Sequence, residues 1–380
     1  MRPSPNTTRS PMSESNREQV SPLDDPQFVM ARDPSGMYDL TLGFPAQCRK
    51  ALALAREVEL APLSKRPRNV VIAGLGGSAA GGDFARALAD ALGNTPVAVS
   101  REYSVPNWVD EESLVLACSY SGNTEETLAA FQDARTKGAR LACVTSGGKL
   151  REFAEDAHLP LFAIPPGQPP RTAMGYMLIP VLWALESWGL LPALDYEAAF
   201  LGLESDALRW AVESPEAGNE AKRISQTLSG SVGLIYGLGA WQGVVASRWC
   251  AQIEENAKNL AFSATFPELN HNQVLGWVRA GDQRVARWVV VLLEDGDESA
   301  KMKARARVTL ELIQDRATIL RTRASGGALL EKMLRISFLG DFVSLYLAAL
   351  NGVDPENIDW INVLKSELAK VPQSSESAAP

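Results

Sequence analysis

A chain of 380 residues, 46% hydrophobic and 22% charged, has the length of two α/β units and the composition of a globular protein with a sizeable core. Its formal net charge of −8 argues against a nucleic-acid binder, whose contact face is basic, but leaves room for a small anionic ligand. Cys48, Cys118, Cys143 and Cys250 stand far apart and there are two histidines in all, which excludes a Cys-x-x-Cys zinc site, a disulfide framework and a His-rich metal centre.

Residues 1–35 are rich in Pro, Ser and charge, contain no apolar core of a signal peptide, and read as a flexible extension. From Arg68 the sequence "RNVVIAGLGGSAAGGDFARALADAL" runs from a β-branched stretch through a glycine cluster into an alanine-rich amphipathic segment: strand, tight loop, helix. "SLVLACSYSGNTEETLAAFQDARTKG" repeats that order, "ARLACVTS" supplies a third strand and "LPLFAIP" a fourth. The apolar run "YMLIPVLWALESWGLLPAL" contains Pro180 and Glu186 and reads as a buried helix, not a membrane span.

The second half repeats the first. "SVGLIYGLGAWQGVVASRWCAQIEENAKNL" sets Gly237-Leu-Gly239 where Gly74-Leu-Gly76 stood, 163 residues earlier. "RVARWVVVLLEDGD" and "ATILRTRA" follow as strands, and a long apolar helix closes each half. The period is domain-sized. The expected fold is α/β, two parallel sheets flanked by helices. The expected divisions are an extension over 1–35, a first domain over 36–191, a helical connection over 192–222, a second domain with its C-terminal helix over 223–370, and a flexible tail over 371–380.

The halves differ in chemistry. The first carries two polar loops, Gly76-Gly77-Ser78 and Ser119-Tyr-Ser-Gly-Asn-Thr124; the second has Gly239-Ala240-Trp241 and the acidic "EDGDES". A helix N-terminus beyond a parallel strand offers unpaired N–H groups to a phosphate, and Ser119, Ser121, Thr124 and Thr127 add hydroxyls. Taken alone the loop is equally an ordinary helix cap. Neither loop has the lysine of a Walker A motif, and Gly74-x-Gly76-x-x-Ala79 is a weak match to a dinucleotide fingerprint. "EENAKN" (254–259) reads by itself as a solvated helix end, where Glu254 and Glu255 cannot share a face and Lys258 either pairs with Glu255 or points at a substrate.

"GLGGSAAGGD" followed by "SYSGNTEET" resembles the sugar isomerase (SIS) domain family. With "PPRTAMGY" (169–176), "EENAKN", "NHNQVLGW" (270–277) and "INVLKSEL" (361–368), the ordered set resembles the bifunctional phosphoglucose/phosphomannose isomerases, which carry two SIS domains, over about residues 40–370. The resemblance implies a cytoplasmic aldose–ketose isomerase acting on sugar phosphates through a cis-enediol, with no metal or cofactor. It makes Glu255 the base that moves the proton between C1 and C2, and His271, 16 residues further on, the group that opens the ring. It implies a homodimer in which His271 reaches the neighbouring subunit's site. Arg171 would neutralise enediolate charge, Lys365 would be an active-site lysine, and Gly77, Ser78, Ser119, Ser121 and Thr124 would hold the phosphate. Asn270 and Asn272 would orient His271, whereas His158 reads as a strand-entry residue. Two rivals are a non-catalytic sugar-phosphate sensor, which needs no Glu255 with His271, and the isomerase half of an aminosugar synthase, for which residues before 68 do not read as an amidotransferase.

Overall fold

The computed structural model describes residues 21–368 and 370–371. Expectations for residues 1–20 and 372–380 lie outside these. Residues 21–35 depart from the flexible extension expected of them. Pro22–Asp24 forms a 3-10 turn capped by Ser21, and α1 (Pro26–Met30) is capped by Asp25, each with Pro in the first helical position, where its missing N–H costs nothing. Leu23 and Val29 are buried in the main core. The turn is also tied down by charge, because Lys222, fully buried, donates to the Asp24 carboxylate at 3.2 Å and to the Val212 carbonyl at 2.9 Å.

Helices α2 (Met37–Leu42) and α3 (Phe44–Arg56) lead into the first repeat. Its strands are β1 (Asn69–Ala73), β2 (Val97–Ser100), β3 (Ser113–Ser119), β4 (Arg140–Thr145) and β5 (Leu161–Ala163); its helices are α4 (Gly77–Leu92), α5 (Glu125–Thr136), α6 (Gly148–Asp156) and α7 (Met174–Ser187). All pairings are parallel, in the order β2-β1-β3-β4-β5. Every residue of β3 is buried, as a strand covered on both faces must be.

The connection expected over 192–222 holds α8 (Tyr196–Trp210), but its second helix, α9 (Glu220–Leu228), runs unbroken across the expected boundary at 222–223. The second repeat has β6 (Val232–Gly237), α10 (Ala240–Ala257), β7 (Ala261–Thr265), a short α11 (Gln273–Gly276), β8 (Trp288–Glu294), α12 (Ala300–Ile313), β9 (Thr318–Arg323) and α13 (Leu329–Asn351), followed by α14 (Asp359–Leu368). Its sheet is parallel with the order β7-β6-β8-β9. The 163-residue repeat is literal: α4 begins at Gly77 and α10 at Ala240.

The largest core cluster lies between the sheets and draws α3, α4, α7, α10 and α13 into one layer. Two smaller clusters close the outer faces, one against α5 and α6, the other against α12 and the segment around Trp277. Among the described residues α13 is the one helix long and apolar enough to cross a bilayer, but 89% of its apolar window is buried inside the fold. Pro180 sits inside α7, which is buried along most of its length. The four cysteines are free and buried.

In each sheet the chain leaves the first strand toward one edge and returns to the other side for the third. That reversal opens a crevice at the carboxyl ends of β1 and β3, and of β6 and β8, where ligands of open α/β sheets bind. In the second half the crevice loop satisfies itself. The Glu298 carboxylate accepts from the N–H groups of Asp295 and Gly296, and Lys332 pairs with Asp297 at 2.6 Å.

Candidate active site

In the first half the two crevice loops are tied together. The Tyr120 N–H donates to Ser78 Oγ at 3.2 Å, which links the start of α4 to the loop after β3. Ser119 Oγ and Thr124 Oγ1 share a hydrogen bond at 2.8 Å, and Ser119 Oγ also accepts from the Gly122 N–H. Thr124 occupies the N-cap position of α5 but its hydroxyl caps no helical N–H. Thr127, in the first turn, is buried, and its hydroxyl makes no hydrogen bond among the described residues. The first N–H groups of α5 are thus left without a side-chain cap. Glu125 and Glu126 suit the dipole as well.

Gly122 is what lets this loop close. Its φ is +70°, and a Cβ there would lie 1.7 Å from the Gly147 carbonyl oxygen. Gly122→Ala is therefore expected to cost at least about 1–2 kcal/mol from the left-handed backbone alone, plus the displacement of the Gly147 loop. Thermal melts with and without a sugar phosphate check this. An unchanged melting temperature and unchanged ligand stabilisation would show that the loop has room to spare.

Arg171 is no surface arginine. The turn Pro170–Thr172 leads into α7, and the side chain is 5% exposed. Its Nε donates to Asn256 Oδ1 at 2.8 Å and its Nη2 to the carbonyls of Pro355 and Glu356 at 2.7 and 3.1 Å. Nη1 faces Glu255 Oε2 at 3.5 Å. Burial pulls the guanidinium below its ordinary value, and Glu255, Glu356 and Asp354 pull it back. Gly77 belongs to the same wall, since a Cβ on it would stand 2.7 Å from the Pro170 carbonyl oxygen.

Glu255 is on the last turn of α10 and half-buried, whereas Glu254 is exposed. Lys258 takes neither role considered for it. It ends α10 in the left-handed region, and its ammonium donates to the backbone carbonyls of Glu255, Asn256, Asp354 and Pro355. It closes the carbonyl end of the helix and ties it to the segment before α14. Burial, reinforced by Arg171, pulls its amine below the ordinary lysine value.

Gly77, Arg171 and Glu255 line one cleft of about 200 Å³ between α4 and α10. That suits a small metabolite, being below the ~300–1,000 Å³ of drug-sized ligand pockets. Asp83, Arg101, Ser247, Arg248 and Gln252, none anticipated from sequence, complete its polar lining. For Arg248 and Gln252 the signal was spacing: with Glu255 they fall at i, i+4 and i+7 on α10, one face of a helix. Arg171 also lines a second cavity of about 630 Å³ with Gln168, Asp354, Asn357 and Asn362. Gln168 Nε2 is buried there without a hydrogen-bond partner among the described residues.

The other expected site residues are not in the cleft. Ser78, Ser119, Ser121 and Thr124 line neither cavity and form the loop layer beside Gly77. Lys365 is exposed on α14, one turn beyond Asn362. His271 is exposed at the end of the 3-10 turn Glu268–His271. Its flanking asparagines pin the loop, not the imidazole: Asn270 Nδ2 donates to Thr309 Oγ1 at 2.7 Å, and Asn272 Oδ1 accepts from the Gln273 N–H at 2.6 Å. His158 is an exposed left-handed residue just past α6. No group of three His, Cys, Asp or Glu side chains among the described residues converges as metal ligands would.

Residues 63–165 match the SIS domain family, and residues 217–368 match the family described as the bacterial phospho-glucose isomerase C-terminal SIS domain. The chain is 38% identical over 338 residues to a bifunctional phosphoglucose/phosphomannose isomerase of Caldicellulosiruptor bescii, covering 88% of this chain and 99% of that one. A protein of the same description from Aquifex aeolicus is 32% identical over 310 residues, 80% and 91% of the respective chains. The fold is shared with the solved structure of a hypothetical protein from Thermus thermophilus, at a TM-score of 0.69, 18% identity, and coverage of 92% of this chain and 95% of that one. With two SIS domains matched in order and relatives aligned along nearly their whole length, the chain belongs to the bifunctional phosphoglucose/phosphomannose isomerase family.

Proposed function

We propose that the protein interconverts glucose 6-phosphate and mannose 6-phosphate with fructose 6-phosphate by proton transfer through a cis-enediol, with no metal. The observation that carries the reading is the Arg171–Glu255 pair, 3.5 Å apart in a small cleft whose wall includes Gly77 at the start of α4. The reaction needs a base at C1/C2 and a cation against the enediolate. A carboxylate beside a buried guanidinium supplies both. Gly77 with Ser78, Ser119, Ser121 and Thr124 takes the phosphate. One base serves both epimers if the enediol accepts the proton on either face. A sensor of sugar phosphates has no use for this pair.

Ring opening falls to His271 of a second subunit, and Lys365 joins the site from α14. The support for a homodimer is local. His271 is exposed, and the same stretch of chain, residues 260–278, also exposes Leu260, Phe262, Leu275 and Val278, each at least half open to solvent. We place the enzyme in the cytoplasm, in the carbohydrate metabolism that links glycolysis and gluconeogenesis.

The test is fructose 6-phosphate formation from each sugar by the full chain, with a chelator present throughout. Turnover of both is expected, undiminished by the chelator. Binding without turnover would leave a sensor, and glucose activity alone would remove the second specificity. The dimer is tested by co-expressing Glu255→Gln with His271→Ala. In a two-fold dimer, mixed pairs hold one intact site in two, so about a quarter of wild-type activity returns from two nearly inactive parents. No recovery, with mixed dimers shown to be present, would place His271 in its own subunit's site.

A further inference from the structure

Among the polar groups of the cleft that the proposed chemistry leaves without a task, two are deeply buried. Arg248 and Gln252 are 6% and 4% exposed, and both line it. They are held from behind by Asp341 of α13. Arg248 Nη2 donates to both Asp341 oxygens at 3.0 and 3.1 Å, and Gln252 Nε2 donates to Oδ1 at 2.9 Å. Arg248 Nε is taken by Ser337 Oγ at 3.0 Å.

Two atoms remain. Arg248 Nη1 and Gln252 Oε1 have no hydrogen-bond partner among the described residues, and neither is a sealed orphan. The orientation of the amide is determined by its neighbour, because an ionised carboxylate only accepts, so the NH₂ of Gln252 must face Asp341 and its oxygen must face away. The cleft is thus offered one charged donor and one neutral acceptor, both held rigid. A phosphate or carboxylate fits the donor but not the acceptor. A hydroxyl, which gives one hydrogen bond and takes others, fits both. Gln252 is one turn and Arg248 two turns from Glu255, about 5 and 10 Å along the helix.

We infer that Arg248 and Gln252 together grip a hydroxyl of the open-chain sugar, on C3, C4 or C5, and are specificity-determining residues of this site. The inference rests on the proposed isomerase reading. A site that can turn over both C2 epimers must hold its substrate elsewhere, and this pair supplies such a hold without touching C1 or C2. Burial makes the contact selective, since a substrate lacking the hydroxyl leaves both groups unpaired.

The experiment is a cycle between protein and ligand. Inhibition constants of glucitol 6-phosphate and of its 3-, 4- and 5-deoxy forms are measured on the full-length wild type, on Gln252→Met, and on Arg248→Lys, which keeps a cation against Asp341. Wild type is expected to lose at least about ten-fold in affinity for one deoxy form, and either variant about as much for the parent. For that deoxy form the variant adds little further loss, because the contact is already gone. Losses that multiply for every deoxy form, in a variant whose circular dichroism and melting temperature match wild type, would overturn the proposal. Either variant alone suffices if the other does not fold. A wild type that turns over glucose 6-phosphate while the cycles stay additive sinks only this pairing. A wild type that neither turns over nor binds sugar phosphates sinks the isomerase reading and the pairing with it.

Discussion

Glu255→Gln is expected to lower kcat about 10²- to 10⁴-fold on glucose 6-phosphate and on mannose 6-phosphate alike, the usual contribution of a positioned general base. The amide keeps the shape of the carboxylate at the end of α10 and leaves the other bonds of Arg171, to Asn256 and the carbonyls of residues 355 and 356, in place. KM therefore moves little, because a group acting only in the transition state leaves ground-state binding alone. The equality of the two losses carries the argument. If one carboxylate moves the proton for both epimers, removing it cannot spare either sugar. Glu254→Gln is the control: its side chain is exposed one position along the helix and leaves both rates intact. A variant that loses glucose activity and keeps mannose activity would require a second base. One that loses neither would remove Glu255 from the chemistry.

Much of this arrangement is legible in the sequence because it is local. Gly74-Leu-Gly76 and Gly237-Leu-Gly239 mark the strand-to-helix turns, and the β-branched runs before them mark buried parallel strands. The period between those turns is the period of the fold. The helical start at residues 21–30 was also written locally, as Ser21-Pro22 and Asp25-Pro26, but a composition rich in Pro and Ser outweighed the two capping signals. What could not be read was long-range. Nothing near Arg171 says that residues 256, 355 and 356 will surround it. Nothing near Arg248 says that Asp341, 93 residues on, will hold it. Lys258 was open to misreading for the opposite reason, because a lysine beside a candidate base invites a chemical role, while the helix end there needed its carbonyls paired. His271 and Lys365 lie outside the cleft, and the sequence names their roles only by resemblance.

Asp341→Ala is expected to destabilise the protein by about 3–5 kcal/mol, the cost of leaving a buried charge without its partner. Burial pushes the Asp341 carboxyl up, and Arg248, with the Gln252 amide, draws it back down. On balance the carboxyl stays above its ordinary value, so burial outweighs the attraction and the intact pair is no net source of stability. Removing one half is another matter. Arg248 would keep Ser337 and a 3.4 Å contact to the Arg171 carbonyl, both neutral, and Gln252 would lose the acceptor for its amide. The comparison that isolates this effect is Arg49→Ala. It breaks the pairs to Glu197 and Glu204 at 2.7 Å, with side chains 36%, 64% and 44% exposed, where such pairs are worth about 0–1 kcal/mol. Urea unfolding of both variants, with slopes matching wild type, measures the difference directly. Equal losses at the two sites would mean that Arg248 finds water or another anion once Asp341 is gone. The cleft would then be wet enough at that point to weaken the selectivity argued for Arg248 and Gln252. A loss several-fold larger at Asp341 means that the same burial that makes the network costly to break makes its two outward-facing atoms discriminating.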